Sequence, residues 1–237
     1  MLNLLRIKVV ALLFCLFLIP ESTTAQVQLN NPMYDYNRKL HFGFTIGFNV
    51  GDLSHRYSQR YYGNPDILGV NNVRFAGLTL GAISNVHLTE HMDLRFIPSL
   101  ILAQRNLSYD FTYRETPVEK EIESVLVDFP LTFKYKSVRH NNVRFYLIAG
   151  VKYSIDMASD AGTEPNPQNP IVALDRHNYA YEYGFGFDMY FEYFKFSPEI
   201  KISRGINNVL IRDSETVYSN IFQQLFSNFI FISFHFE

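Results

Sequence analysis

The 237-residue chain is 47% hydrophobic and 16% aromatic, with 22 Phe, 16 Tyr, no Trp and one Cys, and it balances 21 Lys+Arg against 23 Asp+Glu. That near-neutral charge leaves no basic footprint for nucleic acid, and so many aromatics argue against a disordered tail. A single Cys excludes a disulfide scaffold and a Cys-based zinc site.

At the N-terminus, Arg6 and Lys8 lead into an apolar run from Val9 to Ile19, then Pro20 and a polar stretch ending Thr24-Ala25. This pattern predicts a secretory signal peptide over 1–25, cleaved after Ala25. A membrane-spanning helix would need roughly 20 apolar residues. Cys15 falls inside the apolar run, so the mature chain from Gln26 is expected to hold no Cys. Residues 26–39 are polar and turn-rich, and are expected to form a periplasmic N-terminal segment ahead of a domain over 40–237.

From Leu40 onward the dominant signal is alternation with a period of two, repeated eight times. In residues 40–50, Phe42, Phe44, Ile46 and Phe48 oppose His41, Gly43, Thr45, Gly47 and Asn49. Such alternation is a strand with one large apolar face and one polar or small face. Residues 73–88 set Leu78, Leu80, Ala82, Val86 and Leu88 against Gly77, Thr79, Gly81, Asn85 and His87. Residues 92–105, 123–136, 143–156, 178–192, 194–204 and 228–236 repeat the pattern, with the densest aromatics between Tyr179 and Phe191.

The connections alternate long and short. Thr89-Glu90-His91, residues 138–142 and a reversal near Tyr193 are short, whereas 51–72, 106–122, 157–177 and 205–227 are long. Short periplasmic turns, longer extracellular loops and an even strand count are the rhythm of an outer-membrane barrel. The fold class expected is therefore all-β: an eight-stranded antiparallel up-and-down transmembrane barrel with both termini in the periplasm. The Phe, Leu, Ile and Tyr faces are too bulky for a narrow eight-stranded interior and suit lipid and the aromatic girdles at its edges.

With the polar face inward, the lumen receives Asp93, Arg95, Asp128, Lys134, Arg144, Lys152, Glu182, Asp188, Glu199 and Lys201. Five acids confined with five bases predict a salt-bridge network that plugs the barrel, since buried charges are costly unless paired. No catalytic chemistry is expected. His41 and His87 face the lumen without a nucleophile motif beside them, and His87 and His91 straddle a turn that does not align them as metal ligands. Gly184-Phe185-Gly186 lies mid-strand and lacks the rest of a dinucleotide fingerprint. No cofactor and no metal are expected.

Among the loops, Ala161–Pro170 is Pro-rich and expected to be exposed, and His55–Tyr62 is a Tyr-rich contact surface or girdle extension. In Ser219–Phe226, the spacing of Ile221, Phe222, Leu225 and Phe226 suits one helical face. That face would dock a partner, lie on the outer leaflet or cap the barrel.

Three stretches carry a family resemblance: Tyr34-Asp35-Tyr36-Asn37-Arg38-Lys39-Leu40-His41-Phe42-Gly43-Phe44-Thr45-Ile46-Gly47-Phe48-Asn49, Asp93-Leu94-Arg95-Phe96-Ile97-Pro98-Ser99-Leu100, and Asp128-Phe129-Pro130-Leu131. They resemble the PorT (SprT) family. The resemblance implies an outer-membrane component of the type IX secretion system, which exports proteins with C-terminal targeting domains and, in gliding species, surface adhesins. Other secretion subunits and outer-membrane lipid are the partners it implies, and it brings no catalytic residues. The family is often described as a protein-translocating porin. An eight-stranded barrel filled with side chains does not pass a polypeptide, so an accessory or assembly role through loops and termini is expected instead. The run Phe229–Glu237 resembles the terminal-strand signal read by the outer-membrane insertion machinery, departing from it by ending in Glu237 after Phe236. The competing reading is a stand-alone barrel, serving as a small-solute pore or a surface-binding protein.

Overall fold

In a computed structural model, residues 29–31, 34, 39–62, 67–112, 116–159, 174–211 and 221–237 are described. The expected signal peptide with its cleavage point and the 161–170 excursion lie outside them. Alternating residues build β1 (Leu40–Tyr57), a single helical turn α1 (Gln59–Tyr62), β2 (Ile67–Arg74), β3 (Ala76–Thr89), β4 (Met92–Phe96), β5 (Ser99–Phe111), β6 (Val118–Lys136), β7 (Val143–Asp156), β8 (His177–Tyr190), β9 (Lys195–Gly205) and β10 (Phe222–Phe236). Only Phe75 separates β2 from β3, and only Ile97 and Pro98 separate β4 from β5, so the ten strands form eight staves. Each stave is antiparallel to its neighbours, and β1 pairs with both β3 and β10. The sheet is closed: an eight-stranded up-and-down barrel.

Closure is set by register. Phe44 pairs with Phe236, Phe48 with Ile232 and Ser54 with Phe226, so the first and last strands meet along nearly their whole length. The faces then sort in the opposite sense to a soluble protein. Phe42 is 67% exposed, Phe133 56% and Val151 60%, while Arg95, Lys134, Lys136 and Lys195 are among the largest fully buried side chains. Long charged side chains are almost never fully buried in water-soluble folds unless paired. An apolar outer band around a polar interior is the arrangement lipid requires.

The strands run further than alternation alone indicates. β1 continues past Val50 to Tyr57, β10 begins at Phe222, and β5 and β6 extend to Phe111 and from Val118. The connections expected to be long shrink to 58–66, 112–117, 157–176 and 206–221. The reason lies on the outer face of β1, where Asp52, Ser54 and Arg56 replace Phe and Ile. Alternation of hydrophobicity stops where the strand leaves lipid, but the pairing with β10 does not.

In this extension the β1–β3 ladder ends at Val50 opposite Ala76, and β2 pairs with β5. Side chains bridge the seam instead. Asn72 Nδ2 donates to Asp52 Oδ1 and to the Leu53 carbonyl, both at 2.8 Å, and Arg74 reaches Asp52 at 3.2 Å. A ladder break is tolerated here because it lies beyond the apolar band.

Charge on the outer face is therefore expected to cost stability by depth. Ile46→Arg, near the middle of the band, should lose about 2–4 kcal/mol, whereas Ser54→Arg should lose about 0–1 kcal/mol. Urea titrations of protein refolded into lipid vesicles measure both, and equal losses would contradict this placement of the membrane.

Candidate functional site

The barrel interior is the candidate site, and inward residues of all eight staves build it. At the short-turn end, Asp93 accepts Lys136 at 2.8 Å and His87 at 2.8 Å, with the Asn85 amide at 3.2 Å. One layer up, Arg95 forks between Glu199 at 3.2 Å and Glu237 at 3.0 Å, and Lys195 holds the other Glu237 oxygen at 2.8 Å. The Tyr146 hydroxyl donates to Glu199 at 3.0 Å. Lys134 pairs with Asp188 at 2.7 Å, its ammonium 3.8 Å from the Tyr146 ring centroid, and the Ser197 hydroxyl donates to the same Asp188 oxygen at 2.6 Å.

Tyr146 fits only because position 186 is glycine. A Cβ there would collide with the Tyr146 hydroxyl and would lie 2.6 Å from the Pro198 carbonyl. A glycine among the aromatics of β8 therefore makes room for a large interior group on the neighbouring β7.

In the middle, Lys152 pairs with Asp128 at 2.8 Å and approaches Glu182 at 3.6 Å, while Lys201 holds Glu182 at 3.0 Å. Both ammonium groups sit 5.0 Å from the Phe231 ring centroid. Above them Arg105 bonds Ser124 and Ser227, and lies 3.7 Å from Asp156. The extracellular end is apolar: Leu53, Val70, Leu107, Tyr109, Phe111, Leu174, Val209, Leu210, Ile221, Phe222 and Leu225 form one buried cluster, with Tyr57 and Tyr61 packed against it.

All ten lumen residues expected from the sequence are on the inner face, and ion pairs among the described residues join Asp93, Arg95, Asp128, Lys134, Lys152, Glu182, Asp188, Glu199 and Lys201 to inward partners. Arg144 is buried on the same face of β7. Sequence reasoning missed Arg105, inside β5, and Lys136, Asp156, Lys195 and Glu237, which occupy stave ends. Parity identifies each of them: Lys136 follows Lys134 by two, and Glu237 follows His235 by two.

The segment at 221–226 requires a correction. Phe222, Leu225 and Phe226 are in β10, and Ile221, Phe222 and Leu225 are at most 2% exposed inside the apolar cluster. Among the described residues 221–226 there is no helical face to dock a partner or rest on the leaflet; of the three readings, capping the barrel is the one that Ile221, Phe222 and Leu225 follow, from within. The helical spacing arose from a bulge. Arg56 pairs with Gln224 and Tyr57 with Phe222, so skipping Gln223 shifts the inward parity by one residue. Tyr57 and Tyr61, stacked 4.0 Å apart, pack against this cluster and are partly buried by it. Among the described residues no cluster of His, Cys, Asp and Glu is placed to hold a metal.

A closed antiparallel barrel with lipid-exposed aromatics outside and paired charges inside is a transmembrane β-barrel. Residues 24–210 match the family described as outer membrane protein beta-barrel domain, and the chain belongs to that family. Among solved structures it is similar to the outer membrane protein OprG from Pseudomonas aeruginosa. The match has 14% identity and a TM-score of 0.46, and covers 82% of this chain and 94% of that one. It is also similar to the N-terminal β-barrel domain of Pseudomonas aeruginosa OprF, at 13% identity and a TM-score of 0.34, covering 82% and 96%. No curated protein matches the sequence.

Removing one partner of a buried pair strands the other charge. Asp188→Leu alone should cost about 3–5 kcal/mol, and adding Lys134→Met should recover most of it. Unfolding curves of the two variants in detergent test this, and additive losses would mean that Lys134 and Asp188 are not coupled.

Proposed function

We propose that the protein is a non-enzymatic, non-conducting outer-membrane component of the type IX protein secretion machinery, acting as an accessory or assembly barrel through its loops and termini. The observation that carries this reading is the filled interior: paired charges occupy the lower and middle layers, and packed apolar side chains occupy the top. A filled lumen leaves no path for a polypeptide, so action on partners is the role compatible with it. The secretion assignment is supported by the resemblance at Tyr34–Asn49, Asp93–Leu100 and Asp128–Leu131. Asp93, Arg95 and Asp128, which carry part of it, are charge-network residues. Its partners on this reading are other secretion subunits, outer-membrane lipid, and the insertion machinery during assembly.

Two measurements test the proposal. Deleting the gene should abolish export of cargo bearing the C-terminal targeting domain, and normal export would leave a stand-alone surface-binding barrel as the reading. In planar bilayers the purified protein should give no stable conductance. A large steady opening would overturn the closed lumen and favour the small-solute pore.

A further inference from the structure

The periplasmic rim holds the chain's own N-terminal segment through contacts that resemble a peptide-binding site. Arg139, in the β6–β7 turn, donates from its guanidinium to two successive backbone carbonyls, those of Asn30 and of Asn31, the latter at 3.2 Å. The same group is braced within its own turn by the Asn141 carbonyl at 2.8 Å and Asn142 Oδ1 at 2.9 Å. It also lies 3.8 Å over the Tyr190 ring. Asn142 Oδ1 accepts the Asn30 backbone N–H at 2.9 Å.

On the β8–β9 side, the Asn30 carboxamide donates to the Tyr190 carbonyl at 3.2 Å. The Asn31 carboxamide donates to the carbonyls of Phe191 and Glu192 at 2.8 and 2.9 Å. Asn31 has a φ of 46°, left-handed backbone that asparagine adopts more readily than most residues. Beyond it, the Tyr34 ring lies 4.5 Å from His41 and 5.9 Å from Tyr190, with the Lys195 ammonium 4.7 Å from its centroid. Lys195 is the cation that pairs with Glu237 in the charge network.

We infer that the rim formed by the β6–β7 and β8–β9 turns is a receptor for a bent peptide presenting two adjacent carboxamides, filled in this chain by Asn30 and Asn31, so that the N-terminal segment straps the periplasmic mouth shut. The chemistry is specific at both ends. A guanidinium fork takes two neighbouring carbonyls, which a lysine point charge does not match. Turn carbonyls take primary amides, which neither carboxylates nor apolar side chains supply. Tyr34 then covers Lys195, keeping periplasmic water from its pair with Glu237. A periplasmic partner that engages the N-terminal segment would have to draw it out of this site, which makes the strap a point of coupling between partner and barrel. The inference does not depend on the secretion reading.

The test exploits Arg38 and Lys39, the trypsin sites between the strap and β1. Full-length protein in detergent is treated with dilute trypsin, and loss of the N-terminal fragment is followed by intact mass. Arg139→Gln should release the fragment about tenfold faster than the parent, the effect of losing a charge-assisted hydrogen bond that holds the segment closed. Asn31→Ala should act in the same direction, and Arg139→Lys should remain fast. Heat-modifiable migration, which reports the barrel, should be unchanged in all three. Equal cleavage rates in parent and variants would overturn the strap, and slow cleavage in Arg139→Lys would overturn the two-carbonyl fork.

Discussion

In hydrocarbon an unpaired backbone amide costs several kcal/mol, so a membrane sheet exists only if it has no edge. The β1–β10 ladder removes the last edge, and the rest of the molecule follows from that closure. Phe44 against Phe236 and Phe48 against Ile232 set the register. Eight staves at that register enclose a space only wide enough for side chains. Whatever faces inward must therefore fill it, and whatever faces outward must suit lipid.

The interior meets this requirement in two different ways along its axis. Within the membrane and toward the periplasm it is packed with charge, and each cation is held by geometry that offsets its loss of water. Arg95 spans two carboxylates, Lys195 takes the second oxygen of one of them, and Lys134 rests on an aromatic face while pairing with Asp188. Such pairs contribute little net stability over an apolar replacement, but they lock their staves into one arrangement, because breaking any pair leaves a buried charge alone. Toward the extracellular end, where the strands project beyond the band, the filling turns apolar, with Leu107, Tyr109 and Phe222 at its centre.

Much of this was legible in the chain. Alternation gave every stave, the rhythm of turns gave the up-and-down order, and parity placed all ten expected lumen charges on the inner face. The misses have physical causes. Lys136, Lys195 and Glu237 stood at strand ends where the apolar partners that mark alternation run out, although parity alone would have reached them. Ile221, Phe222 and Leu225 read as a helix because a bulge at Gln223 imitates helical spacing, and nothing local distinguishes the two. The strap contacts of Asn30 and Asn31 join residues more than 100 positions apart and leave no periodic trace.

By itself the sequence determined the class of fold and the sorting of residues between lipid and lumen, because in a strand that sorting is a matter of odd and even positions. Only the tertiary structure decided which charges meet, where the ladder gives way to side-chain bridges, and what seals each mouth. Pairing partners depend on the stagger between staves, and stagger is a property of the closed ring that no single strand contains.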